Sequence, residues 1–574
     1  MELVVLFMEY QMKDIVNSKK ALIVVLPYMV KGEDTVKKTN KRNVRSFLAF
    51  PYGALTIASY VRKVSNHDVD IFDINIPLQA DPSADMGLLF EKYVSNESYD
   101  FIGFSMSYDN SFPWLELLTN IALEKFPKSI MFAGGPAAST AYREILKSVR
   151  NLHAICYLEG EGPLLEIMNS TNPKQVLMSS NSWVTPEKCN DLLFAPAATH
   201  VELDEIIDVD YELVHQDAYN MREAFSPFVK YRENSKQFFI VTSRGCPFKC
   251  VFCAEPELQG GNMRYASVSS IISHIKFLVD NYGLTVLTIY DDQILLNKVR
   301  AKEIFREIGK LNIRVEMPNG VTLSYIDEEM AMLMSKAGVD TLFLAIESGS
   351  PRVLKEVVIK PISFKKIKPV VNLLKKYNIF ACAFFVIGLP GETREERVET
   401  RNFAYDMGFD WCFFNYATPL RGSQLYKDCV KNGWIKEKYR ELGSIDMSEY
   451  VLDVPGTSKE EIEETIFNMN IDLNFVNNIN IMEGNVELAI TSFKEVLYRH
   501  KGHPIAHYML SICYKTIGNI ELDEYHYGIF KDIVNEDSKW LEVCNHFNLS
   551  LDQIDTFVSK KDNLVGAYEE GKRV

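Results

Sequence analysis

Phe238-Phe-Ile-Val-Thr-Ser-Arg-Gly-Cys246-Pro-Phe-Lys-Cys250-Val-Phe-Cys253 is the stretch on which the reading turns. Its first five residues form a short apolar run rich in aromatic and β-branched side chains, the pattern of a buried strand. Gly245 and Pro247 suit a tight loop after it, and that loop gathers three thiols within eight residues. Thiolates are soft ligands that favour iron–sulfur clusters or zinc. Structural zinc wants four ligands, and no second cysteine pair or histidine pair lies nearby. A [4Fe–4S] cluster on three cysteines leaves one iron open to a small molecule. The other seven cysteines (Cys156, Cys189, Cys382, Cys412, Cys429, Cys513, Cys544) stand singly. In a large chain with no export signal they read as buried reduced thiols.

Downstream of the loop the pattern alternates. Helices are expected over 269–282, 299–311, 328–337, 364–376 and 393–407, with strands at 286–290, 314–317, 341–346, 381–387 and 412–417. Counting the first strand, six strands and five helices predict a full or partial β/α barrel, whose chemistry sits on the loops after the strands. Tyr290-Asp291-Asp292-Gln293, Ala345-Ile-Glu347-Ser348-Gly349-Ser-Pro351 and Phe385-Val-Ile-Gly388-Leu-Pro-Gly391-Glu-Thr393 all fall at such ends. Taken alone, Asp291 and Asp292 also suit a helix N-terminus, Glu347 a helix cap, and Gly388 to Gly391 a turn.

Upstream, strands are expected at 21–26, 69–73, 101–105, 129–133 and 154–158, with helices at 52–64, 88–94 and 114–124 between them. Short-spaced alternation of this kind predicts a doubly wound parallel sheet, in which ligands sit at the carboxyl ends of the strands. Those ends carry Ser105, Ser107, Gly134, Gly135 and Gly160, small residues that let a ligand approach the backbone. The predicted organisation is therefore α/β: a first domain over 1–170, a linker over 171–235, a barrel core over 236–460, and an all-helical region over 461–574. In the last region Gly484-Asn485 recurs as Gly518-Asn519, about the period of a tetratricopeptide repeat. Pro504, Ala506, Leu510 and Tyr514 lie between them where that repeat wants them, whereas Asp523 does not fit the small position that Ala489 fills. Repeat helices commonly present a protein-contact surface, and two units also suffice merely to cap the barrel.

The three-cysteine loop, with the aromatic Phe252 before its last cysteine, resembles the signature of the radical S-adenosylmethionine (SAM) enzymes. The resemblance implies a [4Fe–4S] cluster on Cys246, Cys250 and Cys253, with SAM chelating the open iron and cleaving to a 5′-deoxyadenosyl radical that abstracts hydrogen from substrate. The Asp-Asp element resembles the cobalamin-linked branch of that family. By the same resemblance Phe252, Asp291, Asp292, Glu347, Ser348 and Gly388 are expected around SAM. Pro51-Tyr-Gly53-Ala-Leu, Gly103-Phe-Ser105-Met-Ser107, Ala133-Gly134-Gly135-Pro136 and Glu159-Gly-Glu161-Gly162 resemble the cobalamin-binding domain fused ahead of such barrels, which implies Ser105, Ser107, Gly134, Gly135 and Glu161 as cobalamin contacts. The Asp-x-His-x-x-Gly loop that supplies a lower histidine ligand is absent after Leu26. His67 and His153 stand outside any such context and read as ordinary histidines, so no histidine from that motif is expected on cobalt.

The implied activity is methylation of an unactivated carbon in a small molecule or peptide. A cyclase or rearranging enzyme with the same cofactors is the nearest alternative, and an inactive scaffold acting through the repeats is the alternative of another class. A tRNA methylthiotransferase would need further first-domain cysteines, where only Cys156 is present. An electron donor such as flavodoxin or ferredoxin is implied, and a protein partner on the repeat stays open. The formal net charge of −15 argues against nucleic acid as a partner. No apolar run reaches eighteen residues, so no membrane span is expected. The opening Met1-Glu-Leu-Val-Val-Leu-Phe-Met8 lacks the basic start of a signal peptide, and the expected location is the cytoplasm.

Overall fold

Strand residues of the first domain are apolar on both faces, so the sheet they form must be covered on both sides. In the computed structural model, which describes residues 18–28, 48–81, 83–191, 193–219, 235–445 and 447–549, that is how they pack. The segment Met1–Met8 lies outside the described residues. Strands β1 (Lys20–Val25), β2 (Asp68–Asp73), β3 (Phe101–Ser105), β4 (Ile130–Gly134) and β5 (Ala154–Cys156) are parallel, and β6 (Trp183–Val184) closes the edge in the order β2-β1-β3-β4-β5-β6. Leu22, Val24, Ile102 and Phe104 enter one core, and Ala21, Ile23, Val25 and Phe101 the other, as the two-residue alternation of a strand requires.

Strand β6 corrects the expectation of a plain linker over 171–235. It pairs antiparallel with β5 through Ile155↔Val184, and fully buried Trp183 packs edge-on to Phe132 at 5.1 Å. Two residues are too few to leave a periodic signal. His67 and His153 lie at the amino ends of β2 and β5, far from the ligand edge. His67 bonds Lys19 N and Asn169, and His153 accepts from Met131 N.

The second βα series builds β7 (Gln237–Ile240), the ribbon β8 (Ser243–Arg244) and β9 (Arg264–Tyr265), then β10 (Val286–Ile289), β11 (Arg314–Glu316), β12 (Thr341–Glu347), β13 (Phe380–Ile387) and β14 (Trp411–Tyr416). Two three-stranded parallel sheets, β11-β10-β7 and β12-β13-β14, meet through the bridge Val321↔Leu344. Leu287, Ile289, Leu342, Leu344, Ala381 and Ala383 pack outward with the helices. The alternate set, including Thr288, Glu316, Phe343, Cys382 and Trp411, faces the barrel interior. Strands β7 and β14 do not pair with each other, so the barrel has an open seam.

The C-terminal helices Val486–Arg499, Pro504–Thr516, Ile520–Glu536 and Ser538–His546 close the barrel from below. Phe475, Phe493, Ile505 and Met509 share one core with Phe343, Phe380, Cys382 and Trp411 near the start of β12, β13 and β14. Here the helices serve as a cap.

Candidate active site

The cysteine loop is held open by its own backbone. Gly245 adopts φ 105°, and a Cβ there would lie 2.3 Å from the Asn262 carbonyl oxygen, so only glycine fits. Cys246 N donates to Gly260 O at 3.1 Å, Gly245 N to Gln259 Oε1 at 3.2 Å, and Glu255 N to Cys253 Sγ at 3.4 Å. Val251 N donates to Val358 O and Leu425 N to Val251 O, which ties the loop to the far half of the barrel. Burial pushes the Cys250 thiol up to about 11 and the Cys253 thiol up to about 12. Such thiols give up their protons when a cation is there to take the charge.

Beside them lies a cation the sequence reading missed. Lys360, buried, donates to Glu347 Oε1 at 2.7 Å. Burial works against its charge, but Glu347 and the thiols of Cys250 and Cys246 outweigh it and hold its pKa above the ordinary lysine value. Glu347 follows a register shift in β12 and has φ 72°, a strained conformation for a non-glycine residue that marks a functional turn.

The Asp-Asp element divides. Asp291 is buried and accepts from Thr242 N at 2.6 Å, Thr242 Oγ1 at 2.6 Å and Ser243 Oγ at 2.5 Å. It bolts the end of β10 to the root of the cysteine loop and has no face left for a ligand. Asp292, half-buried, accepts from Gln259 Nε2 at 3.3 Å. Burial, then Glu255 and Asp291, raise its pKa to about 8, so it shares a crowded carboxyl pair with Glu255 near the Cys246 thiol.

Two further expected contacts turn inward. Ser348 is fully buried, with its hydroxyl at 3.1 Å from Thr400 Oγ1. Gly388 N donates to Glu392 Oε2 at 2.7 Å, its carbonyl accepts from Tyr450 OH at 2.8 Å, and a Cβ there would meet the Tyr450 ring at 2.7 Å. Both hold strand-to-helix turns closed. Phe252 is half-buried against the main core.

On the first domain, the carboxyl edge of the sheet is shaped by small residues. Gly135 takes φ 97°, and a Cβ would lie 2.8 Å from Met106 O. Ser105 and Gly134 are half-exposed beside it. Ser107 bonds the Tyr28 hydroxyl. Glu161 turns away from that edge: it is buried and pairs with Arg244 Nη2 at 2.7 Å, two residues before Cys246. Glu159 meets Arg244 at 3.1 Å, Arg264 closely, and His200 at 3.1 Å. Neither the role of Arg244 nor the pairing across 83 residues left a local signal.

These pairs cross the open seam. On the β7 side stand Arg244 with Glu159 and Glu161, and Phe50 stacked on Phe239 at 4.4 Å. On the β14 side Asp109 accepts from Arg421 Nε at 2.9 Å and Gly443 N at 2.8 Å. The ligand edge of the first sheet is thereby held facing the mouth of the barrel.

The radical SAM superfamily matches residues 240–404 and the B12 binding domain matches residues 42–168. The chain therefore carries a B12-binding domain followed by a radical SAM domain, the pairing found in cobalamin-dependent radical SAM enzymes. This radical SAM enzyme is 28% identical over 408 residues to cytidylyl-2-hydroxyethylphosphonate methyltransferase of Streptomyces wedmorensis, covering 65% of this chain and 75% of that protein. Its fold is similar to that of the cobalamin-dependent SAM radical enzyme OxsB, solved with aqua-cobalamin bound (TM-score 0.60, 15% identity, 97% of this chain and 79% of that one). It is also similar to the radical SAM methyltransferase TsrM of Kitasatospora setae (TM-score 0.54, 16% identity, 72% of this chain and 75% of that one). The cofactors are a [4Fe–4S] cluster, SAM and cobalamin.

The residues present fit all three. One buried and two half-buried thiols on one glycine-hinged loop suit a cluster with an open iron. The Asp292–Glu255 carboxyls suit the cationic end of SAM, and the small, partly exposed residues Ser105, Gly134 and Gly135 leave the carboxyl edge of the first sheet low enough for a flat ring to approach the backbone. Among the described residues, no helix is long and apolar enough to cross a membrane.

Proposed function

We propose that the enzyme methylates a carbon of a small-molecule or peptide substrate. The observation that carries this reading is the clasp across the seam, which sets the cobalamin edge of one domain against the cluster mouth of the other. When bound, the cluster supplies the electron that cleaves SAM, and cobalamin supplies a methyl carrier. The chain's own part is positional. Cys246, Cys250 and Cys253 hold the cluster. Asp292, Glu255 and Glu347 surround SAM, with Lys360 offsetting the charge of Glu347. Ser105, Gly134 and Gly135 admit the corrin edge. Arg244 and Arg421 fix the distance between the two faces and, with the aromatic pair Phe50 and Phe239, keep water from the seam. A cytoplasmic flavodoxin- or ferredoxin-type donor is the matching electron source.

The experiment is anaerobic turnover with reconstituted protein, SAM and a reductant, following both SAM-derived products. A methyl donated from SAM leaves S-adenosylhomocysteine, and reductive cleavage leaves 5′-deoxyadenosine. Both together support methyl transfer. 5′-Deoxyadenosine without S-adenosylhomocysteine would instead favour the cyclase or rearrangement reading. Cys250→Ala should lose the cluster and all reductive cleavage.

A further inference from the structure

We infer that Lys360 sets how readily the cluster takes up its electron: the fold holds this buried cation against the cysteine loop, where its charge favours the reduced state. This assignment needs the cluster on Cys246, Cys250 and Cys253 but not the methyl transfer proposed above. Reduction adds one electron, delivered by an external carrier of the flavodoxin or ferredoxin class, to a cluster that its thiolates already make anionic. A nearby positive charge stabilises the reduced form more than the oxidised one, and does so most strongly where water is excluded. Lys360 is 9% exposed, an unusual burial for a lysine, and its ammonium donates to Glu347 Oε1 at 2.7 Å.

The backbone is strained to put it there. Lys360 comes just after a short π-helical stretch, Val353–Val358, a form that occurs frequently at functional sites. Ile359, between the two, has φ 61°, an outlier for a β-branched side chain. The turn leaves Ile359 50% exposed and Lys360 buried, the reverse of where an isoleucine and a lysine ordinarily go. Val358 O accepts at 3.1 Å from the backbone N–H of Val251, the residue after Cys250, so the inverted pair of residues lies against the cysteine loop. Lys360 N is in turn fixed to Leu354 O at 3.0 Å. At the other end of the ion pair Glu347 is strained too, with φ 72°. A buried ion pair gains little over apolar packing, so stability does not account for straining two residues to build one. The pair is also polarised. On the Cys250 thiol the effect of Lys360 outweighs the opposite effect of Glu347, and the same cation acts on the Cys246 thiol. Its positive end therefore faces the loop.

The test is a redox titration of full-length protein carrying cluster and cobalamin, without SAM, followed by electron paramagnetic resonance of the reduced cluster. Lys360→Met alone leaves Glu347 buried without its partner, so the informative variant combines Lys360→Met with Glu347→Gln and replaces the pair by neutral groups of similar size. Its equilibrium constant for one-electron reduction should fall about tenfold, which lowers the midpoint by about 59 mV. Glu347→Gln alone leaves the cation unopposed and should raise the midpoint. Lys360→Arg, which keeps the charge, should stay closer to wild type than to the double variant. Lys249→Met is the control: that lysine is exposed beside Cys250, water and salt screen it, and its loss should move the constant by less than about twofold. An unchanged midpoint in the double variant at wild-type iron content, a Glu347→Gln midpoint that does not rise, or an equal fall in Lys249→Met would overturn the assignment. Wild-type protein whose cluster titrates as described yet yields no S-adenosylhomocysteine counts against methyl transfer alone.

Discussion

Asp291 and Asp292 are adjacent, chemically identical and oppositely employed. Asp291→Ala removes the acceptor for three donors in a buried site, and should cost about 2–4 kcal/mol in chemical denaturation with little direct effect on SAM affinity once the protein is folded. Asp292→Asn should leave stability and iron content near wild type and weaken SAM binding about tenfold in equilibrium dialysis; unchanged affinity would remove Asp292 from the SAM site. Arg244 offers a sharper contrast. Arg244→Met leaves Glu161 buried without its partner, a change worth about 3–5 kcal/mol, and Glu161→Gln introduced into that variant should restore part of the loss. Plain additivity of the two substitutions would show that the pair is not coupled. The sequence showed which residues are chemically able, because cysteine spacing and acidic pairs are local. It did not show which carboxylate faces the mouth, since that depends on donors such as Thr242 and Ser243 that lie 48 or more residues away.

At the scale of elements, the parallel strands were legible because each is a short apolar run with sharp ends. All five parallel strands of the first sheet and all six strands of the barrel fall where those runs lie. The antiparallel β6 was missed because its register with β5 is set by tertiary packing. The C-terminal helices were legible as helices, but their docking on Phe343 and Trp411 was not, because an inward-facing aromatic on a barrel strand reads the same whether covered or open. These helices also carry a pH response. Burial lowers His503 and His526 to about 4 and lowers His507 as well, and the His507 and His526 Nδ1 atoms lie 2.9 Å apart. All three are held neutral by the fold, so below their unfolded value of about 6.5 the unfolded chain takes up protons that the folded one refuses. Their contribution is complete above that pH and is lost as pH falls toward 4. Hydrogen exchange should show the helices over 486–546 opening more readily at pH 5 than at pH 7.5, ahead of the barrel strands; parallel loss of protection throughout the chain would contradict this.

For the whole molecule, the consequential geometry is a barrel left open along one side and shut by a separate domain. The clasp relies on ions at both margins, Arg244 with Glu159 and Glu161 on one and Arg421 with Asp109 on the other. Asp109→Ala with Glu159→Ala should loosen the closure without unfolding either sheet. The measurable result is faster limited proteolysis between the domains and a lower retained cobalt-to-iron ratio after gel filtration. An unaltered digestion pattern and ratio would show that apolar contacts such as Phe50 on Phe239 suffice.

The floor of the barrel has a consequence in time. Phe343, Cys382 and Trp411 leave the ribosome before the helices that cover them, and at roughly 5–20 residues per second the wait for the segment around Phe493 to Phe530 is on the order of ten seconds. For that interval the nascent barrel shows a greasy strip to the cell. A message interrupted in this stretch would yield not a trimmed enzyme but a sticky one, prone to capture by chaperones and proteases.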